Sequence, residues 1–354
     1  MTHPDHPPLR VGSPAAILAI VPHLLGFQPD KSLVVIGAGP PGRRVHVAVR
    51  YDLPDPPDTA TAAGIAGDAL GILTRQHLTM AVVVGYGPGA LVTPLTDTLG
   101  PRLTSAELEV PDMLRVEDGR YWSCLCREPA CCPAEGVPFD APAHPAAAAM
   151  AAAGRPVLAS RAAVATTIAP LRGQAAEAMD EAARSAQARA RALITGAPDS
   201  ATARRRVEGE GLRAVSEAIR AYRDGGRITS DDQIAWLAFT LRGLPVRDDA
   251  WARMDPAHCD AHRRLWTDVV RRAQIPYVPA PASLLAFTAW QSGDGTLAGA
   301  AIERALDADP GYSMALLLRD LTGAGVPPSA ALLPMTPEEV AASYDAQEEV
   351  RSRT

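Results

Sequence analysis

Four of the five cysteines in this chain fall within nine residues: Cys124, Cys126, Cys131 and Cys132. Thiolates this close together can bind a soft metal, cycle between redox states, or pack as small apolar groups. The spacing is not that of paired Cys-x-x-Cys knuckles, so it names no standard finger. A complete zinc site would use Cys126, Cys131 and Cys132 with either Cys124 or a distant histidine, and zinc is the cofactor such a site would take. A disulfide between the neighbours Cys131 and Cys132 would be strained. Metal ligation, thiol chemistry and incidental packing all remain open from the spacing alone.

Three other motifs could carry chemistry. Gly85, Gly87 and Gly89 sit between an apolar run and a helical pattern. Backbone N–H groups there could face an anion or nucleotide, and the plain alternative is a turn that needs glycine for its geometry. Gly37, Gly39 and Gly42 match the dinucleotide string literally, but two prolines and an alternating segment follow instead of a helix. That context predicts a hairpin loop. His258 and His262 have the i, i+4 spacing of zinc-binding helices, but Cys259 stands where a metalloprotease helix carries its glutamate. The simpler expectation for the pair is a solvated helix face.

Composition excludes several classes. The chain has 354 residues, a net charge of −6 and only 5% aromatic residues. No basic face for wrapping nucleic acid is expected. The arginines at 184, 189, 191, 204, 205 and 206 are interleaved with glutamates, which predicts a salt-bridged face. Lys31 is the only lysine, and no Gly-Lys-Ser/Thr phosphate loop exists. No apolar run reaches the roughly 20 residues needed to span a bilayer. The first residues make a poor signal peptide, so the protein is expected in the cytoplasm with its cysteines reduced.

Several elements must position these residues. Ser13 and Pro14 open a helix that ends at Gly26. Residues 32–36 and 45–51 predict a β-hairpin, followed by a helix over 59–77, a buried strand from Met80 and a helix over 90–99. Residues 108–116 and 120–125 predict two more strands. Beyond an alanine-rich stretch, periodic helices cover 174–194 and 200–223. A capping box starts at Ser230, and Asp255 and Pro256 cap a further helix. Pro276, Pro279 and Pro281 read as a stiff connector ahead of a last helical group over 283–321. The expected fold class is an α/β domain, a mixed sheet with flanking helices, followed by an all-α domain. The expected boundaries are 9–142, an alanine-rich linker or helix at 143–156, a helical domain at 157–334 and a polar tail at 335–354.

Leu285, Ala286, Ala289, Gly293, Ala298, Ile302, Ala305 and Pro310 fall at positions that define a tetratricopeptide repeat. One such hairpin is too short for a solenoid, but it makes the helical half the place where a protein partner would bind. Three longer strings are more specific. They are residues 21–35, then Arg120 to Ser123 with Cys126, Cys131, Cys132, Pro133 and Gly136, and later residues 284–295 with 309–313. Together they resemble an actinobacterial family known only as a domain of unknown function, numbered four-one-nine-two, from about Leu9 to Leu333. Cys124 falls outside that family's pattern. The resemblance implies a bacterial protein but supplies no activity and no catalytic residue.

The functional expectation is a non-enzymatic protein that binds a ligand or a protein partner, away from nucleic acid and membrane. Two alternatives stand beside it. One is a metal- or thiol-dependent enzyme centred on Cys126, Cys131 and Cys132. The other is an anion or nucleotide sensor using the Gly85–Gly89 turn.

Overall fold

A computed structural model describes residues 13–154, 157–330 and 335–352. The expected boundaries at residue 9, at 155–156 and at 334 lie outside the described residues. The described chain falls into two compact units, one running to Ala163 with Ala324–Val326, the other comprising Val164–Gly323 and the residues from Pro327.

The first unit is the mixed α/β body. Helix α1 (Pro14–Leu25) starts as the sequence predicts, with the Ser13 side chain accepting from the Ala16 N–H, and ends on Gly26 in the left-handed region. The strands are β1 (Ser32–Gly39), β2 (Arg44–Asp52), β3 (Met80–Tyr86), β4 (Met113–Glu117), β5 (Arg120–Ser123) and β6 (Val137–Pro138). They form one sheet in the order β2-β1-β3-β4-β5-β6. Only β3 and β4 pair in parallel, because helix α3 (Gly89–Ser105) lies between them in sequence; every other neighbour is antiparallel. Every residue of β1 is buried, which is why it reads as an unbroken apolar run and not as an alternation. Helix α2 (Thr59–Arg75) and α3 present Ala62, Ala66, Leu73, Leu95 and Leu99 to the same core as Leu33, Val35 and Val83. The Gly37–Gly42 string lies in the β1–β2 hairpin as its context predicts, but Gly37 and Gly39 belong to β1, which runs past the expected Ile36, and only Gly42 is in the turn.

Three further boundaries differ from expectation with an identifiable local reason. The strand expected from Leu108 begins only at Met113; Pro111 has no N–H to give a ladder, and Glu109 makes only an isolated bridge to Met80. The strand expected to reach Leu125 stops at Ser123, whose hydroxyl takes the N–H groups of Leu125 and Cys126 out of the sheet. Helix α3 runs past residue 99 to Ser105 despite Pro94 and Pro101, because Leu103 on its last turn is fully buried. Helix α4 (Pro145–Ala152) is capped by His144, whose Nδ1 accepts from the Ala146 N–H.

The second unit is helical throughout: α5 (Arg161–Thr167), which begins just before it, then α6 (Gln174–Thr195), α7 (Ser200–Arg223), α8 (Asp231–Thr240), α9 (Leu244–Ala252), α10 (Cys259–Arg272), α11 (Pro279–Gln291), α12 (Gly295–Ala308), α13 (Ser313–Gly323) and α14 (Pro337–Ser352). Of the proline connector expected at 276–281, only Pro276 lies in the turn between α10 and α11. Pro279 and Pro281 lie in the first turn of α11, where backbone N–H groups have no intrahelical partner and proline loses nothing. Residues 337–352 form a helix whose Val340 is buried and whose Tyr344 hydroxyl donates to Asp248 at 2.5 Å. On the arginine-rich face, Glu210 accepts from both Arg189 and Arg213, and the Arg189 guanidinium lies 4.2 Å from the Trp236 ring centre. Among the described residues no helix is long and apolar enough to cross a membrane.

Candidate functional site

The cysteine loop joins β5 to β6, so both of its ends are tied into the sheet. Cys124 is the last residue held there, its N–H donating to the Met113 carbonyl at 2.6 Å. Beyond it the chain folds over Ser123. The Ser123 hydroxyl accepts from the Cys126 N–H at 3.0 Å and donates to Asp112 Oδ1 at 2.6 Å. A second turn follows, in which the Glu128 carbonyl accepts from the N–H groups of Cys131 at 3.2 Å and Cys132 at 2.8 Å.

Two further contacts close the loop. The Trp122 indole donates to the Ala134 carbonyl at 3.0 Å, and Arg120 donates to the Gly136 carbonyl at 2.8 Å. Arg115 lies over the same indole, 3.7 Å from its centre. Gly136 is buried in the left-handed region, where a side chain would meet the ring.

The result is a cluster of three thiols. The Sγ atoms of Cys126, Cys131 and Cys132 all lie within 4.8 Å of one another. Cys126 to Cys131 is 3.1 Å and Cys131 to Cys132 is 3.7 Å. Tetrahedral zinc with bonds of about 2.3 Å places its sulfurs about 3.8 Å apart, so the trio already has the span of three ligand positions. Cys131 is exposed, which leaves the cluster reachable from solvent. Hydrogen bonds from Cys132 and Cys131 hold the Cys126 thiol below its ordinary range, while the same contacts push Cys132 up to about 12. Binding of a soft cation to the three would displace their protons.

Cys124 does not join them. Its thiol lies on the side of Thr96, Asp112, Arg115 and Asp97. Along an unbroken strand residues two apart would share a face; the separation arises because the chain turns over Ser123 just after the Cys124 N–H has bonded the Met113 carbonyl. The sequence reading met Trp122, Ser123 and Gly136 only as part of the family string, with no structural role, and missed Asp112. A serine three residues before Cys126 was the available signal for the first turn.

The Gly85–Gly89 turn is built differently. Gly85 is buried within β3, and a β-carbon there would lie 2.3 Å from Val92 Cγ1. The Gly87 N–H donates to the Val116 carbonyl at 2.9 Å. Gly89 opens α3, and Arg115 Nη1 lies 3.5 Å from where its β-carbon would stand. Arg115 is already paired with Glu117.

The two histidines are not a solvated pair on one helix face, and that expectation is corrected. His258 precedes α10 in a short turn, where its ring lies 3.0 Å from Asp255. His262 is 1% exposed. Leu265, Trp266 and Val269, all fully buried, follow it at the spacing of one helix face, so that stripe carries the imidazole inward.

No curated protein and no solved structure matches the chain. Residues 14–329 match a family described as a domain of unknown function, DUF4192. That match spans most of the chain, and the protein belongs to this family.

Proposed function

We infer that the first unit binds a zinc ion on the thiolates of Cys126, Cys131 and Cys132, and that the protein works as a binding protein and not by turnover. The convergence of those three Sγ atoms within 4.8 Å carries the reading. Soft thiolates favour zinc over the hard cations, and three of them leave the fourth tetrahedral position for a ligand from outside. Structural zinc sites are closed by four protein ligands, so an exposed three-thiolate site suits the capture of a small ligand or of one side chain from a protein partner. The cluster of mutually close ligand atoms holds no imidazole and no carboxylate among the described residues, which favours binding over acid–base chemistry. The helical unit remains the place proposed for a larger protein partner. The sensor reading of the Gly85–Gly89 turn has weaker support, because Gly85 is filled by Val92.

The 3.1 Å approach of Cys126 to Cys131 favours one other reading, a dithiol that closes to a disulfide. Elemental analysis of the full chain, purified untagged under reducing conditions, separates the two. Near-stoichiometric zinc, released in step with three thiols becoming titratable, supports the metal site. Absence of metal with all five thiols free removes it. A disulfide formed reversibly between Cys126 and Cys131 in metal-free protein would put the dithiol in its place.

A further inference from the structure

The helical unit contains a cavity unrelated to the cysteine loop. It lies where the end of α9, the start of α10 and the second half of α11 converge, and has a volume of about 50 Å³. Its walls include Trp251, Met254, Cys259, His262, Phe287 and Thr288. The Trp251 and Phe287 rings meet edge to face with centres 5.4 Å apart, so one side is aromatic.

The polar atoms of this wall are unusual. Both ring nitrogens of His262 are buried and without a hydrogen-bond partner, and so is the Trp251 indole nitrogen. Buried polar groups are ordinarily satisfied, and a group left unsatisfied calls for an occupant. A neutral imidazole offers one donor and one acceptor, and the indole offers one donor. Thr288 does not compete as a donor, because its hydroxyl is directed at the Leu284 carbonyl at 2.9 Å and the Met254 sulfur at 3.3 Å.

One carboxylate, Asp255, also borders the cavity, and the imidazole facing it is neutral. Burial pushes His262 down to about 4, against the smaller opposing pull of Asp255 and with small contributions from Arg223 and His258 in the same direction as burial. The charged groups nearby are used on one another: Arg223 reaches Asp255 at 2.5 Å, and His258 reaches the same carboxylate at 3.0 Å. Size is bounded as well. The space exceeds that of one water but is well below the roughly 150 Å³ that holds benzene.

We propose that this cavity is a binding site for a small uncharged molecule of about four heavy atoms, a methyl-sized apolar body carrying a hydroxyl or carboxamide head. The head accepts from the Trp251 indole and exchanges hydrogen bonds with His262. The body lies against Phe287 and the Met254 thioether. The site is independent of the zinc reading and survives its failure.

The probe is acetamide, titrated into the full chain while the Trp251 indole and His262 ring resonances are followed by NMR. Saturable shifts of both groups in the millimolar range are expected. Acetate, the charged analogue of nearly the same shape, should bind at least tenfold more weakly. Trp251→Phe keeps the aromatic wall and removes the donor, and should weaken acetamide about fivefold to tenfold. Equal binding of acetate, unchanged affinity in W251F, or no saturable shift overturns the proposal. So does a long-lived water seen at the Trp251 N–H that acetamide fails to displace.

Discussion

Gly136 lies against the face of Trp122 so closely that a β-carbon would stand 2.5 Å from the indole Cε2. The contact locks the return of the cysteine loop onto β5, and the indole N–H is held by Ala134 from the same segment. Gly136 also sits at a φ of +79°, which side chains resist. Gly136→Ala should therefore cost the first unit roughly 2–4 kcal/mol, combining left-handed strain with overpacking. Urea denaturation of the wild type, G136A, W122A and the W122A/G136A double variant checks this. The double variant should lose the clash component but not the backbone strain.

The three converging thiols should behave as one ligand set. Cys126→Ser, Cys131→Ser and Cys132→Ser are each expected to lose stoichiometric zinc, and Cys124→Ser to keep it. Ser123→Ala removes the hydroxyl that accepts from the Cys126 N–H at 3.0 Å, so it should weaken zinc about tenfold while leaving the ligands present. Competition with a chromogenic chelator measures all five. Zinc retained by Cys126→Ser would end the metal reading.

Acid should destabilise the helical unit through His262. Burial pushes this group down to about 4 from an ordinary 6.5. Between those values the unfolded chain binds a proton that the folded chain refuses, so stability falls as pH drops from about 6.5 to about 4. Above that window both states are neutral and the group contributes nothing. The loss should be on the order of 2 kcal/mol by pH 5. Urea midpoints of the wild type and of His262→Phe at pH 7.5 and pH 5 test it. The variant should be markedly less sensitive to acid.

Gly85 separates a packing turn from an anion site. A β-carbon there would lie 2.3 Å from Val92 Cγ1, so Gly85→Ala should destabilise by roughly 1–3 kcal/mol. The added V92A change should recover much of that loss. Failure of V92A to rescue, together with lost phosphate or nucleotide binding measured by calorimetry, would restore the sensor reading.

Much of the architecture was legible from local chemistry. Ser13, Pro14 and Gly26 mark α1 because caps and helix ends depend on neighbours in sequence. The two hairpins and the apolar strands were legible for the same reason. The boundaries that moved did so through longer-range forces: burial of Leu103 carried α3 past two prolines, and the Ser123 hydroxyl ended β5 before Leu125.

The sequence alone determined where the thiols concentrate, with four of the five cysteines between residues 124 and 132. It also determined the mixed sheet followed by helices, because hydrophobic period and turn residues are properties of short segments. The tertiary structure decided which three cysteines meet. Cys124 stays in the ladder through Met113, whereas two turns bring Cys126, Cys131 and Cys132 together. It alone decided that His262 is enclosed beside Trp251, because burial depends on which helices pack against a face, and no spacing along one helix specifies its neighbours.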